Sequence, residues 1–556
     1  MAIGSRNSAA DLGPAWARWV VPSVSDLIFV ALAGVLVFTA LSVRLLGDAG
    51  IGWHIRTGQI ILATHAIPRV DPFSSVSSAM PGQPWFAWEW LYDVIVGWLE
   101  SAAGLNSVVV FTAVVIAMLF AWTFGLMLRG GTNVFIAIIL LLLAASASMI
   151  HFLARPHVVS WLFTVAWFWI LESSEKRCCA SGFESFDTSE VNPRRGWMLW
   201  LLPPLMLVWV NLHGGFLVGF VLLGIYWCSA AWQWFRLKED RFEDALRKIR
   251  AGRLVRALTL TGILSGLATL ANPYGFGLHI HIYRYLSNRF LMDHIDEFQS
   301  PNFHYVAQKC FAALLLLTLV GLTLKRREPG QGRLSQALVV LFAVYSGLYA
   351  SRNIPVSSLV LILVIGPWLS EAMARLVERR LEDRGFRARG VAPMRFLERM
   401  RAIEFGLRGH LWPVAMIVVT CWIAAHGGWL GGRQVMDARF DRKRFPVAAV
   451  NYLETQEVPG PLAGPDYWGG YLIYRLYPRV RMVVDDRHDF YGEEFLKSYL
   501  KMVHVEPGWE DFLQQHQAQC VVVPKDSALA NMLGETAGWR AIYGDDVAVA
   551  FEVKSR

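Results

Sequence analysis

Long apolar runs separated by short polar connectors dominate the chain. Runs of 15–22 residues predict helices at about 27–46, 107–128, 133–151, 157–172, 197–211, 214–235, 256–272, 310–324, 335–350, 354–372 and 411–430, eleven in all. Each is long enough, or nearly so, to cross a hydrocarbon core of roughly 30 Å. After residue 430 the pattern changes. "FPVAAVNYLETQ" predicts a helix, and "VRMVVDD", "CVVVP" and "DVAVAFEV" predict short strands joined by helical stretches. About 120 residues are enough for a small α/β domain with its own core. The expected fold is an α-helical polytopic membrane protein with three parts: an N-terminal segment 1–26, a transmembrane domain 27–430 whose first loop is 47–106, and an α/β domain 431–556.

Composition supports the membrane assignment. Of 556 residues, 55% are hydrophobic and 17% charged, with a mean hydropathy of +0.38; a soluble chain carries nearer a quarter charged residues. The 24 tryptophans suit interfacial aromatic belts. The isoelectric point near 9.2 raises nucleic acid as a partner, but the basic residues sit in short loops, which topology explains. The first apolar run lacks a small-residue cleavage site, so it is expected to be a retained span. The six cysteines form no CxxC or disulfide-type pattern and no metal motif is present, so no cofactor is implied; a divalent metal has no motif to support it.

Charge decides the topology. The stretch "WEWLYDVIVGWLESAAG", 88–104, is apolar enough for a twelfth span. If it crossed, the later basic loops "RLKEDRFEDALRKIRAGRLVR" and "RLVERRLEDRGFRAR" would lie outside, against the positive-inside rule. It is therefore expected to be an amphipathic juxtamembrane helix with Glu89, Asp93 and Glu100 on its polar side. With a cytosolic N-terminus, "GDAGIGWHIRTG" (47–58), "IPRVDPFS", "WFAWEW", "ARPH" (154–157), "NLHGG" (211–215), "ANPYG", "HIDEFQSPNF" (294–303), "SRNIP" (351–355) and the C-terminal domain all gather on the external face.

One span, a long external loop with a juxtamembrane helix, many further spans and an external C-terminal domain resemble the GT-C superfamily of polyprenyl-phosphate-dependent glycosyltransferases. That superfamily includes protein O-mannosyltransferases, aminoarabinose transferases and oligosaccharyltransferase catalytic subunits. "DAGIGWHIRTGQIILATHAIPRVDPFS", "PWFAWEWL", "WVNLHGGF", "TLANPYG", "SRNIP" and "YWGGYLIYRLYP…VDDRHDFYG" resemble, more narrowly, a group of bacterial membrane proteins related to those enzymes. The resemblance covers nearly the whole chain. It implies a bacterial inner-membrane enzyme that transfers a sugar from a polyprenyl-phosphate donor to a glycolipid, glycan or protein acceptor among membrane lipids. It also implies that the acid just after the first span, Asp48, is the catalytic base or a metal ligand. Where several members pair two acids in that loop, Ala49 follows Asp48 here, and no WWDYG-like acceptor motif appears; a metal-dependent oligosaccharyltransferase is thereby disfavoured.

The chemistry asks for few groups. A sugar on lipid phosphate already carries a good leaving group, so a base must deprotonate the acceptor and cations must hold the departing phosphate. Asp48 is the candidate base, or else an interfacial cap or a partner of Arg56. Arg155 and His157 in "ARPH" and Arg352 in "SRN" are candidate phosphate contacts, because guanidinium groups grip phosphate through paired hydrogen bonds; their alternative is snorkelling to headgroups. His54, Asp71, Glu89, His213 and Glu297 are candidate substrate-binding residues. Against these stand an interfacial role for the 53–54 pair, an Asx turn at Asp71, a helix cap at Glu89 and tight packing at "NLHGG". "DDRHD" (485–489) reads as a turn-stabilising salt-bridge cluster rather than a metal site, and Tyr467 and Trp468 as core packing rather than a platform stacked on a sugar. A rival reading keeps the architecture without the catalysis: an assembly or scaffold protein, or a lipid-linked-sugar transporter. Transport is the weaker rival, since it needs ionisable groups at membrane mid-depth and the apolar runs hold few.

Overall fold

The computed structural model describes residues 16–76, 84–179, 193–238, 241–325, 333–383, 391–407, 409–458 and 460–554. Among them, six helices are long and apolar enough to cross a membrane: Arg18–Phe38, Trp90–Arg129, Val134–His151, Gly214–Arg236, Val306–Leu324 and Ser351–Arg379. The pair Arg399–Gly406 and Leu411–Ala425, bent by 53°, would make a seventh. The remaining predicted runs are helical as well, in His157–Cys179, Leu202–Val210, Phe242–Ala268 and Leu334–Tyr349. The predicted 27–46 run is broken: helix Val24–Phe38 ends at Thr39 and a short helix, Leu41–Leu45, follows.

The stretch 88–104 is helical and continues into the next span through a kink at Ala103 (φ −150°, ψ 25°) and Gly104 (φ 63°, ψ −164°). The positive φ at 104 is one that glycine adopts without a Cβ penalty. The expected surface helix needs correction. Asp93 is fully buried and Glu89 nearly so, while Trp98 is exposed. The acidic side faces the protein because it finds partners there: Asp93 meets His54, and Glu100 accepts hydrogen bonds from Gln59 (2.6 Å) and Tyr474 (2.8 Å).

Three helices stack here on glycine contacts. Helix Ile51–Thr64 lies between the 90–102 stretch and helix Asp466–Leu476 of the C-terminal region. On one side, a Cβ at Gly97 would sit 2.8 Å from the Gln59 nitrogen, and one at Gly58 would overlap the Asp93 carbonyl. On the other, a Cβ at Gly52 would overlap the Gly470 carbonyl, and one at Gly470 the Ala49 carbonyl. The glycines of "GDAGIGWHIRTG" and "YWGGY" therefore let backbones touch where side chains would hold them apart.

The C-terminal region carries a four-stranded sheet in the order Leu462–Ala463, Cys520–Pro524, Ala548–Val553, Trp539–Gly544, parallel at the first pair and antiparallel at the other two. The predicted helix at "FPVAAVNYLETQ" is Val447–Thr455. The predicted strand "VRMVVDD" is only a pair of isolated bridges, from Met482 to Ser74 and to Leu462. Met482 thus splices the first loop onto the sheet, and one buried apolar core runs from the helices into this region.

Candidate functional site

Helix Ile51–Thr64 starts where the chain leaves the first span. Asp48 sits just before it, and its Oδ1 accepts the Gly50 N–H at 2.8 Å, which fixes the carboxylate at the helix entrance. Its Oδ2 lies 3.3 Å from Arg155 Nη2. Arg155 in turn lies 3.2 Å (Nη2) and 3.4 Å (Nη1) from Asp486 Oδ2 of the C-terminal region. Asp486 Oδ1 accepts the Trp53 indole N–H at 3.0 Å. The guanidinium is thus shared between two carboxylates from opposite ends of the chain. Burial works against the Arg155 charge, but Asp48 and Asp486 outweigh it, so the group holds its proton even more firmly than a free arginine.

A second group lies beside the first. His54 is fully buried, with Nδ1 2.6 Å from Asp93 Oδ1. Glu89 is flanked by two imidazoles, His54 Nε2 at 3.7 Å and His213 Nε2 at 3.6 Å. His213 Nδ1 accepts the Gly215 N–H at 2.9 Å, so its ring proton is on Nε2, facing Glu89. Burial pushes Glu89 up to about 8, against the pull of Arg155. With Arg155 and His213 nearby, it also lowers His54. Burial and the Arg352 charge bring His213 down to about 3. Near neutrality Glu89 is therefore largely protonated and the two imidazoles are neutral. His54 Nε2 and Asp93 Oδ2 have no hydrogen-bond partner among the described residues.

Glu297 and Arg352 form a pair at 3.4 Å. Burial opposes ionisation of Glu297, but Arg352 and Arg155 overcome it and hold the carboxyl at about 2. His157 Nε2 lies 2.9 Å from the His151 carbonyl oxygen. The charges of Arg155, Arg352 and Glu297 reach Glu89 and His213, and that of Glu297 also reaches His157. Asp48, His54, Glu89, Arg155, His157, His213, Glu297 and Arg352 therefore share one electrostatic field, although they come from five separate loops.

Asp71 stands apart. Its Oδ1 accepts from Arg487 Nη1 at 2.7 Å and from the Phe73 N–H at 3.0 Å, and its Oδ2 accepts from the Ser74 N–H at 2.9 Å. Burial disfavours its charge, yet Arg487 lowers its pKa overall. Arg487 also grips Asp485 through Nε and Nη2, each at 2.7 Å, under the rings of Trp85 and Phe73. The Asx turn expected at Asp71 is present, and so is the salt-bridge cluster expected within "DDRHD". Asp486 escapes that cluster, and no sequence argument singled it out. Its partners, Trp53 and Arg155, lie more than 300 positions away in the sequence. Asp93 and the pair His281–Asp489 (3.0 Å) were likewise not singled out as site residues. Among the described residues, no group of three or more His, Cys, Asp or Glu could hold a metal ion.

No protein-family model and no curated protein matches the sequence. Solved structures do. The oligosaccharyltransferase of Archaeoglobus fulgidus without ligand aligns over 96% of this chain and 74% of its own, at 10% identity and a TM-score of 0.51. The same enzyme tethered to an acceptor peptide with the NVT sequon aligns over the same shares, at 12% identity and a TM-score of 0.52. The chain has the GT-C fold. ArnT from Cupriavidus metallidurans, in its apo state, aligns over 94% of this chain and 97% of its own at 14% identity and a TM-score of 0.48. On the GT-C fold of this chain, the Asp48–Arg155–Asp486 cluster lies where the first loop, the turn before helix His157–Cys179 and the C-terminal region meet.

Proposed function

We propose that this GT-C protein is a glycosyltransferase of the bacterial inner membrane, with its N-terminus in the cytosol, eleven spans and the C-terminal domain outside. It transfers a sugar from a polyprenyl-phosphate donor to an extracytoplasmic glycan, glycolipid or protein. The observation that carries the reading is the Asp48–Arg155 pair at 3.3 Å. It places a carboxylate of the first loop beside a guanidinium that keeps side-chain exposure of 23%. Asp48 takes the proton of the acceptor hydroxyl or amine as that atom attacks the anomeric carbon. The bond from that carbon to the phosphate oxygen breaks, and Arg155, with Arg352 nearby, holds the charge that collects on the departing lipid phosphate. Glu89 and His213, neutral beside it, supply O–H and N–H donors for sugar hydroxyls without adding charge that would compete for Arg155.

The test is transfer of labelled sugar from polyprenyl-phosphate donors into glycolipid or protein by membranes holding the chain. Membranes from a deletion strain that perform equally with every common donor would overturn the proposal.

A further inference from the structure

The second carboxylate on Arg155 has no part in the reaction just described, yet it makes the better contact. Asp486 Oδ2 faces both terminal nitrogens of the guanidinium, at 3.2 and 3.4 Å, whereas Asp48 faces one. Three features fix it there. Its other oxygen is held by the Trp53 indole. Its neighbours Asp485 and Arg487 are locked into the buried pair with Asp71. Gly50 leaves the space that both groups fill, since a Cβ there would come within 2.6 Å of Arg155 Nη1 and of Asp486 Oδ2. An oxyanion presented to the fork of an arginine is also the arrangement a phosphate adopts.

We propose that Asp486 occupies the phosphate position on Arg155 in the empty enzyme, and that the lipid phosphate of the donor binds by displacing it. Asp486 is then a positioning residue supplied by the C-terminal domain, and it sets donor affinity. The inference rests on the phosphate role proposed above for Arg155.

The exchange depends on pH. The charged or titratable groups facing Asp486 are Arg155 from the 152–156 turn and Asp48 from the first loop, with Asp485 and His488 from its own segment. Burial lifts the Asp486 carboxyl, Arg155 opposes that and Asp48 adds to it, leaving the group at about 7. Below neutrality Asp486 is protonated and gives way easily. Above it, an anion must be displaced, and donor affinity falls.

The experiment measures the Kd of undecaprenyl phosphate for the full chain in nanodiscs at pH 6 and pH 8.5. The phosphate's own second ionisation, near 6, acts on every variant alike, so the readout is the ratio of wild-type to Asp486→Asn Kd. That ratio should be near one at pH 6 and about tenfold at pH 8.5, the worth of one charge-assisted hydrogen bond. Trp53→Phe, which keeps the aspartate but frees its Oδ1, should shift affinity at pH 8.5 in the same direction, and it carries the test if Asp486→Asn fails to fold. A ratio of one at both pH values, or weaker binding in Asp486→Asn, overturns the displacement. Arg155→Ala separates the two ideas. If it binds like the wild type, the phosphate role of Arg155 falls and the displacement with it; if it loses affinity while the ratio stays at one, only the displacement fails.

Discussion

Asp48 and Arg155 meet at 3.3 Å across 107 positions of sequence, one at the end of the first span and the other in the turn before helix His157–Cys179. The pair divides the proposed chemistry. Asp48→Asn keeps the shape and the acceptor for the Gly50 N–H but removes the base, so sugar transfer should fall by about 10²–10⁴-fold while the protein still folds. Arg155→Ala removes a contact made before chemistry as well as during it, so KM for the donor should rise. Radiolabel transfer with the two purified variants checks both, and near-normal turnover by Asp48→Asn would make that acid a cap alone.

Arg487 is the counter-ion of two buried carboxylates, Asp71 and Asp485, at 2.7 Å each. Removing one partner of such a network leaves uncompensated buried charge, which costs about 3–5 kcal/mol. Arg487→Ala should lower the thermal midpoint sharply, whereas the double variant Asp71→Asn/Arg487→Met should recover part of the loss. Unfolding followed by tryptophan fluorescence reads both.

Glu89 is buried, and its pKa is raised from the ordinary carboxyl range to about 8. An acid with a raised folded-state value contributes its full stability below its unfolded pKa and loses it as pH climbs through the folded one. Stability should therefore decline between about pH 4.5 and pH 8 through this group. Glu89→Gln imitates the neutral acid and should flatten that part of the profile; thermal midpoints taken across the range would show no change of slope if Glu89 were already ionised.

Gly52→Val would force a side chain into the Gly470 carbonyl. Overpacking of this kind costs about 1–3 kcal/mol, and here it also separates Asp486 from Arg155. Limited proteolysis should then release the C-terminal domain from the membrane part faster than in the wild type. Equal rates would mean that the two do not dock through these glycines.

The orientation is tested by cysteine labelling. Sites introduced in the C-terminal domain, such as exposed Tyr467, should react with an impermeant maleimide in intact cells. Sites at 241–255 should react only after permeabilisation. Labelling of 241–255 from outside would scatter the proposed site over both faces.

Much of this protein was legible in its sequence, because membranes read sequences in a simple way. Apolar runs long enough to cross lipid must be helices, and each of the eleven predicted runs contains helix, six of the helices being long and apolar enough to cross among the described residues. The basic loops argued that residues 88–104 do not cross, and those residues form a helix that kinks before the next span. Eight of the nine candidate polar residues near turns share one field. Periodicity could not say which way a polar side chain would face once another part of the chain arrived. The 90–102 helix looked amphipathic toward water, but helix Ile51–Thr64 covers its acidic side, so Asp93 is buried against His54. Glycine has no side chain to signal its partner; only the fold brings "GDAGIG" against "YWGGY". Asp486 shows the limit most clearly. In sequence it is the twin of Asp485, yet Asp485 joins a buried salt-bridge cluster with Arg487 and Asp486 meets Arg155. Their difference is set by residues more than 300 positions away, and only tertiary contact decides it.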